Sequence, residues 1–405
     1  MPTALIFTLA CILYLVPLAA QSEVYYVSSV SSQCNSYTSY NSKCHSISYY
    51  ANKDVWSPNV TLIFLPGEHD LTTSFSTKGL EDIWLLGQNQ FLVTPSKTHS
   101  FLRPVIRCHK MRWLTIKCSV LKVINLRELH LSEITGKSLN VSNIQSVMIH
   151  NSRFTHKKQS NTFSGVASLS IHSTHISGMS NGLYIDSGDL FCYVLLTDLI
   201  IANSSMNGIT IKCHHNGFIS LNQVTVKNSG SYGLYLQCKH SMGTNCSMSL
   251  SDILLAGCTL GSNILCYQEK CTGHINNITV FNTAKSVGLL IGCQQQCKID
   301  INAMNIFNNS AGGFHLLSAF QSSFFIRNSI ISQNGGVGII ANCYSVVFID
   351  FSNVTISRNN DTGLYLGTFC IVGFFFNSSI ISNNHSPTSG GGMWISNNCC
   401  NFCYV

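Results

Sequence analysis

A glycine-centred phrase that recurs along the chain constrains its fold more than any other feature. In each copy an apolar alternation leads to a Gly, and a second apolar alternation follows it. Successive Gly residues are separated by 26, 25, 28, 27, 25, 25, 25 and 29 positions. A nearly fixed period of this size is typical of a solenoid, in which each repeat buries its apolar face only by stacking on its neighbours. The nine copies are centred on Gly182, Gly208, Gly233, Gly261, Gly288, Gly313, Gly338, Gly363 and Gly392.

The apolar alternation has period two, which is the period of a β-strand. Ile209 and Ile211 follow one repeat Gly, and Val224 and Val226 precede the next. No amphipathic run of the roughly 10–12 residues that a helix needs fits between such segments. The sequence therefore predicts an all-β solenoid of short strands, with successive turns stacked about 4.8 Å apart.

Two copies of the repeat are similar to motifs of known β-helix proteins. Residues 307–313 read FNNSAGG and residues 389–395 read SGGGMWI, which resembles the F-x-x-N and G-G-x-I repeats of polymorphic outer-membrane and adhesin-type proteins. The pattern as a whole resembles the right-handed parallel β-helix of the pectate-lyase-like superfamily. This resemblance implies a right-handed parallel β-helix solenoid with an N-terminal cap, in a superfamily whose enzymes cleave acidic polysaccharides.

The N-terminus has the pattern of a secretory signal peptide over residues 1–20. An apolar run from Ala4 to Leu18 is followed by the small residues Ala19 and Ala20, as at a cleavage site. No other segment has the roughly 20 uninterrupted apolar residues of a membrane span. We therefore expect a secreted, extracellular protein.

The remainder of the chain is predicted to form one elongated domain. Residues 21–71 lack the repeat and are expected to cap the first turn, and residues 72–405 are expected to form the β-helix, with the clearest repeats at 176–397. Residues 398–405 look cut rather than capped, because a solenoid end normally carries a polar cap. We expect a missing tail that held either a further domain or an anchor, and an anchor would place the protein at the cell surface.

Asparagines in the turns are predicted to have a structural role. Asn tolerates the left-handed backbone conformation and hydrogen-bonds locally, and stacked Asn side chains can form a ladder along the axis. Two of them, Asn203 and Asn308, are also glycosylation sequons and are expected to be poorly occupied for that reason. The turn asparagines are Asn203, Asn228, Asn282, Asn308, Asn334 and Asn359.

Eight further N-x-S/T sequons are predicted to carry glycans. Glycosylation of such a sequon requires a surface position in a secreted protein. The eight are Asn59, Asn140, Asn245, Asn277, Asn353, Asn360, Asn377 and Asn384.

Cysteine usage indicates an oxidising compartment. Of 19 cysteines, Cys11 lies in the signal peptide, and the 18 that remain are an even number, as disulfide pairing requires. Local bridges are predicted between Cys34 and Cys44 and between Cys108 and Cys118. The alternative is that several are buried thiols that pack as small apolar residues. Five lie five residues after a repeat Gly, which predicts that they point inward: Cys213, Cys238, Cys266, Cys293 and Cys343.

No metal or cofactor is predicted. The spacings between Cys266 and Cys271 and between Cys293 and Cys297 would allow zinc ligation. A secreted solenoid rich in cysteine favours disulfides instead.

A catalytic site is only weakly indicated. Cleavage of a glycosidic bond by acid–base catalysis needs two carboxylates within roughly 5–10 Å, and the chain has ten Asp and six Glu without an acidic cluster. Asp189, His215 and His240 each lie seven residues after a repeat Gly, so they are predicted to stack in a column where a carboxylate could orient a histidine base. The alternative interpretation is an outward turn where polar residues gather.

A basic segment is the second candidate feature. Within 25 positions that contain no acid, it supplies seven of the 23 Lys and Arg residues of a chain with net charge +7. It could attract sulfated or uronic polysaccharide, unless strand alternation scatters its charges around the coil. The segment contains Arg103, Arg107, Lys110, Arg112, Lys117, Lys122 and Arg127.

These observations favour a non-enzymatic extracellular module for binding, adhesion or structure, with carbohydrate or surface-protein partners. The first alternative is a polysaccharide lyase or glycoside hydrolase. The second is a spacer in a larger membrane-anchored protein. Nucleic acid is not an expected partner of a secreted chain rich in sequons.

Overall fold

The computed structural model is most continuous over the repeats. It describes residues 23–27, 44–46, 49, 59–64, 68–71, 82–87, 90–91, 101–102, 105–109, 121–124, 126, 128–132, 134–239, 243–368, 372–387, 391–397 and 403–404. The predicted signal peptide, residues 1–20, lies outside these ranges, as does most of the predicted cap, residues 21–71.

Every regular element within the described ranges is a strand. The N-terminal strands are β1 (Glu23–Val27), β2 (Cys44–His45), β3 (Asn59–Phe64), β4 (Glu68–Leu71), β5 (Asp82–Gly87), β6 (Gln90–Phe91), β7 (Phe101–Leu102), β8 (Val105–His109), β9 (Leu121–Ile124), β10 (Glu128–Ser132), β11 (Thr135–Gly136), β12 (Leu139–His150), β13 (Arg153–Thr155), β14 (Asn161–Ser177) and β15 (Leu183–Asp186).

From β16 onward long and short strands alternate. They are β16 (Cys192–Ala202), β17 (Ile209–Cys213), β18 (Gly217–Lys227), β19 (Tyr232–Cys238), β20 (Asn245–Ala256), β21 (Leu260–Cys266), β22 (Lys270–Phe281), β23 (Val287–Cys293), β24 (Gln296–Phe307), β25 (Gly312–Ser318), β26 (Ser322–Ser332), β27 (Val337–Cys343), β28 (Val347–Ser357), β29 (Leu364–Thr368), β30 (Val372–Asn377), β31 (Ile380–Ser382), β32 (Met393–Asn397) and β33 (Cys403–Tyr404).

The strands pair in parallel with their equivalents one turn away. Strand β18 pairs with β16 and β20, and β19 pairs with β17 and β21. The coil has about ten turns. The predicted all-β parallel β-helix is therefore confirmed.

From β16 to β31, each turn that the structure describes is bent at two corners by residues with positive φ. The first corner lies inside the long strand, for example at Asp198 with φ 50°. Leu196 and Leu199, on either side of this corner, are both fully buried, so the bend shifts the in–out alternation by one residue. The second corner follows the long strand and is occupied by Asn203, Asn228, Gly257, Asn282, Asn308, Gln333, Arg358 and Asn383 in successive turns.

The core is a set of apolar columns that run along the axis. Because equivalent residues pair in register, one buried side chain stacks directly on the next. One such column in the short strands contains Ile211, Leu236, Ile264, Ile291, Leu316, Ala341 and Leu366.

From Gly182 to Gly363 the repeat Gly is required by close stacking rather than by an unusual backbone conformation. A Cβ at Gly338 would lie 2.5 Å from the carbonyl oxygen of Gly363, 2.6 Å from Cγ2 of Ile356 and 2.8 Å from Nδ2 of Asn359. Any side chain at this position would therefore force adjacent turns apart.

A buried Asn ladder lies beside these glycines. Asn309, Asn334, Asn359 and Asn384 are 25 residues apart, and each Oδ1 of the last three accepts from the preceding Nδ2 at 2.9 Å. Each Oδ1 also accepts a hydrogen bond at 3.0–3.1 Å from the backbone N–H of the preceding Asn. The ladder thus satisfies buried backbone groups at the second corner.

The turn asparagines predicted from the sequence are divided between two environments. Asn203, Asn228 and Asn308 are exposed corner residues with φ of 55–57°, and Nδ2 of Asn228 donates to Oδ1 of Asn203 at 3.1 Å. Asn334 belongs to the buried ladder. One turn earlier, the ladder residue is Asn309 and not the predicted Asn308. The ladder therefore gives no reason for low glycan occupancy at Asn203 and Asn308.

The hydrogen bonds of Asn384 replace the sequence-based prediction of a glycan there, and we expect this sequon to remain unmodified. Its Nδ2, the atom to which a glycan is attached, donates to the carbonyl oxygen of Ile356 at 3.0 Å, and its Oδ1 accepts from Asn359. Asn377 is exposed and is the matched control, because its side chain accepts from Ser378 only through Oδ1. Glycopeptide mass spectrometry of the secreted protein should find Asn377 occupied and Asn384 bare. Full occupancy of Asn384 would contradict the buried ladder.

Candidate functional site

An open groove runs across several turns where the short strands end and the long strands begin. It encloses a volume of about 560 Å³. Its lining comes from the first residues of β22, β24, β26, β28 and β30 and from the short connections before them. The residues most relevant to binding are Lys270, Gln296, Lys298, Gln321, Ser323 and Phe348.

Strand register places these side chains in rows on the outer surface. Lys298 lies between Thr272 and Ser323 on the neighbouring turns, and Phe348 follows Ser323. Lys270 and Lys298 are both exposed and come from adjacent turns. In the described part of the chain, no Asp or Glu lines the groove. The groove is therefore positively charged, with amides and hydroxyls as its other polar groups.

An aromatic strip continues the groove on one side. The ring centroids of Phe325 and Phe348 are 5.6 Å apart, and those of Phe348 and Phe375 are 5.1 Å apart. Phe375 is 54% exposed. Arg327 lies 5.4 Å from the Phe325 ring and 3.6 Å from a carboxylate oxygen of Asp300. Register places Asp300 and Asp350 in the same row as Phe325 and Phe375, so the strip presents apolar ring faces and two carboxylates next to the groove.

Disulfides lie beneath the groove and at one end of it. The structure joins Cys192 to Cys213, Cys238 to Cys246, and Cys293 to Cys297. Of the cysteines in the predicted local bridges, Cys44 is disulfide-bonded and Cys108 is described only as a residue of β8. Cys34 and Cys118 lie outside the described residues.

The structure describes two of the three residues of the predicted acid–histidine column, Asp189 and His215, and brings them together. Oδ1 of Asp189 lies 3.9 Å from Nε2 of His215, with the Asp189 side chain fully exposed and that of His215 41% exposed. His240 lies outside the described residues. Water screens such an exposed pair, so its carboxylate is poorly placed to activate the histidine.

A second acid–histidine pair in the same region was not predicted. Nε2 of His214 lies 3.0 Å from Oδ1 of Asp186, and Oδ2 of Asp186 accepts from the Tyr184 hydroxyl at 3.3 Å. Lys212 lies 5.2 Å from the Tyr184 ring. The sequence gives no signal for this pair, because Asp186 and His214 occupy different positions after their repeat glycines.

The basic segment predicted between residues 103 and 127 lies largely outside the described part of the chain. Only Arg107 and Lys122 fall within described strands, β8 and β9, where their backbones pair with Asp70 and Trp84.

No family model, curated protein or solved structure matches this chain. Among the described residues, no helix is long and apolar enough to cross a membrane.

Proposed function

We propose that this protein is a secreted, non-enzymatic binding module that holds a linear acidic polysaccharide in the groove. The observation that carries this proposal is the presence of two exposed lysines, Lys270 and Lys298, on adjacent turns of an open groove whose described lining has no carboxylate. Extended grooves with converging polar groups and aromatic walls are typical ligand sites.

The repeating geometry suits a repeating ligand. Successive turns are about 4.8 Å apart, so a chain of sugars along the axis would meet side chains from equivalent strand positions at every turn. The lysines would attract carboxylate or sulfate groups, while Gln296, Gln321 and Ser323 would hydrogen-bond hydroxyls. Phe348 and Phe375 would pack against the apolar faces of sugar rings.

The chemistry of the groove favours retention of the polymer over its cleavage. Hydrolysis calls for an acid and a base or nucleophile, both usually carboxylates, and a calcium-assisted lyase calls for several oxygen ligands. The described residues of the groove offer lysines, amides, hydroxyls and apolar groups. The lyase or hydrolase alternative would have to use carboxylates outside the groove lining, such as the exposed Asp189–His215 pair.

We expect the Lys270→Gln/Lys298→Gln variant to bind polygalacturonate or heparin about 10-fold more weakly than the wild type. Two solvent-exposed ionic contacts together contribute on the order of 1–2 kcal/mol at low salt. Binding of the wild type should also weaken as salt rises, because the contacts are screened. Calorimetric titration at two salt concentrations would measure both effects.

The matched control is Lys285→Gln. Lys285 is exposed and lies in the same repeat as Lys270, but the two corners of that turn separate it from the groove. Its affinity should equal that of the wild type. Equal losses in the control and in the double variant would show a general charge effect and would contradict a site in the groove.

A further inference from the structure

Two columns of cysteine face each other inside the coil, beneath the groove. The first is formed by the ends of the short strands, where Cys238, Cys266 and Cys293 pair in register on three consecutive turns. The second is formed by the starts of the long strands, where register aligns the residues Cys246, Cys271 and Cys297. Each turn therefore places one cysteine of the first column opposite one of the second.

The outer two of these three turns are bridged, and the middle turn is not. The Cα atoms are 6.4 Å apart in the Cys238–Cys246 disulfide and 6.2 Å apart in the Cys293–Cys297 disulfide. Both values lie within the range that a disulfide allows. Cys266 and Cys271, in the turn between them, are buried thiols.

The two thiols of the middle turn are in mutual contact. The sulfur atoms of Cys266, Cys271 and Cys297 all lie within 4.8 Å of one another. A hydrogen bond with Cys271, together with complete burial, raises the pKa of the Cys266 thiol well above its usual value. A buried dithiol is therefore slow to react once the coil has closed, because the thiolate is the reactive form.

We propose that Cys266 and Cys271 form a further disulfide in the secreted protein, so that three stacked cystines cross the interior on consecutive turns. The flanking turns hold the same two columns at bridging distance, and parallel register gives the middle turn the same strand positions. An extracellular, cysteine-rich chain meets the oxidising conditions that the bond needs.

The bond forms by exchange with a disulfide oxidant, either a small molecule or a thiol oxidoreductase. The thiolate of one cysteine attacks the oxidant's disulfide, forming a mixed disulfide and releasing one thiol. The second cysteine then attacks the mixed disulfide at the protein sulfur and releases the second thiol. The two protein thiols lose two electrons and two protons, and the oxidant gains them. Because burial suppresses the Cys266 thiolate, exchange must take place before the turns close around it.

A thiolate metal site is the competing interpretation. Zinc would need Cys297 as a third ligand, but Cys297 is bonded to Cys293. Ionising a fully buried thiol such as Cys266 is also unfavourable without a metal already bound. Both observations favour the disulfide.

Disulfide mapping of the wild-type protein tests this proposal directly. Protein secreted without reductant would be denatured, alkylated with iodoacetamide, and digested with trypsin without reduction. Trypsin leaves Cys246, Cys258 and Cys266 in peptide 240–270 and Cys271 in peptide 271–285. Because Cys246 is bonded to Cys238 in peptide 228–239, the proposed bridge should appear as a species of three linked peptides, 228–239, 240–270 and 271–285. Alkylation of Cys258 in this species, located by fragmentation, assigns the link from Cys271 to Cys266. Two outcomes would overturn the proposal. One is alkylation of both Cys266 and Cys271, which would show two free thiols, or two zinc ligands if the native protein also contains one equivalent of zinc. The other is a Cys271–Cys297 link.

Cys343 is the internal control for this experiment. Register places Cys343 two turns beyond Cys293 at the same strand position, and Val347 rather than a cysteine occupies the position equivalent to Cys297. Burial raises the pKa of the Cys343 thiol to about 12. It should be alkylated after denaturation in the same sample. Substitution of this residue, Cys343→Ser, should leave the map unchanged, whereas Cys266→Ser should free Cys271 for alkylation.

Discussion

Replacing Asn334 by Ala should lower the free energy of unfolding by about 3 kcal/mol, because it would leave several buried polar groups without partners. The Oδ1 of Asn334 accepts from both N and Nδ2 of Asn309, and its Nδ2 donates to Ile306 and Asn359. The residue is only 1% exposed, so water cannot replace these contacts. The midpoint of urea unfolding, followed by circular dichroism, would measure the loss.

Asn302→Ala is the matched control for the Asn334 prediction. Asn302 belongs to a second Asn ladder on the outer surface, where it donates to Asn276 at 2.9 Å and accepts from Asn328 at 2.8 Å. Because these bonds are exposed, water replaces them and the expected loss is below about 1 kcal/mol. Similar losses for the two variants would contradict a stabilising role of the buried ladder.

Gly338→Ala should destabilise the coil by about 3 kcal/mol or more, or prevent its secretion. The added Cβ would meet the carbonyl oxygen of Gly363 at 2.5 Å and the Asn359 amide at 2.8 Å. Backbone cannot yield as a flexible side chain does, so adjacent turns would have to separate. Yield in the culture medium and the thermal midpoint of any secreted protein would report the effect.

Gly373→Ala provides the comparison for this second prediction. A Cβ there would meet only the rings of Phe348 and Phe375, at an ordinary 3.6 Å. We expect normal secretion and a thermal midpoint within about 2 °C of the wild type, as for a surface substitution. A normal midpoint for Gly338→Ala would contradict the tight stacking of the repeat.

The architecture was predictable because one period recurs along the chain. A spacing of about 25 residues and a period-two alternation are compatible with stacked parallel strands and with little else. The exact ladder residue was not predictable at the 308–309 corner, where two asparagines are adjacent. One of them takes the left-handed corner and points outward, and the other points inward; spacing alone does not distinguish them.

The groove could not be predicted from the sequence. Its lysines come from adjacent repeats of unequal length, so their alignment depends on the observed register, in which Lys270 pairs with Gln296 and Thr272 with Lys298. The corner inside each long strand also shifts the alternation, which changes the residues that face outward. The basic segment at residues 103–127 is evident in the sequence instead, because its lysines and arginines are close together along the chain and recognising them requires no knowledge of register.

Retention and integrity of an acidic polysaccharide, measured together, test the central claim most directly. The wild-type protein would be passed over immobilised polygalacturonate at low salt and eluted with salt, and soluble polymer incubated with it would be sized and assayed for new reducing or unsaturated ends. We predict retention that salt reverses and a polymer of unchanged length. Shortening of the polymer would contradict the account. Binding to neither polygalacturonate nor heparin at low salt would also contradict it.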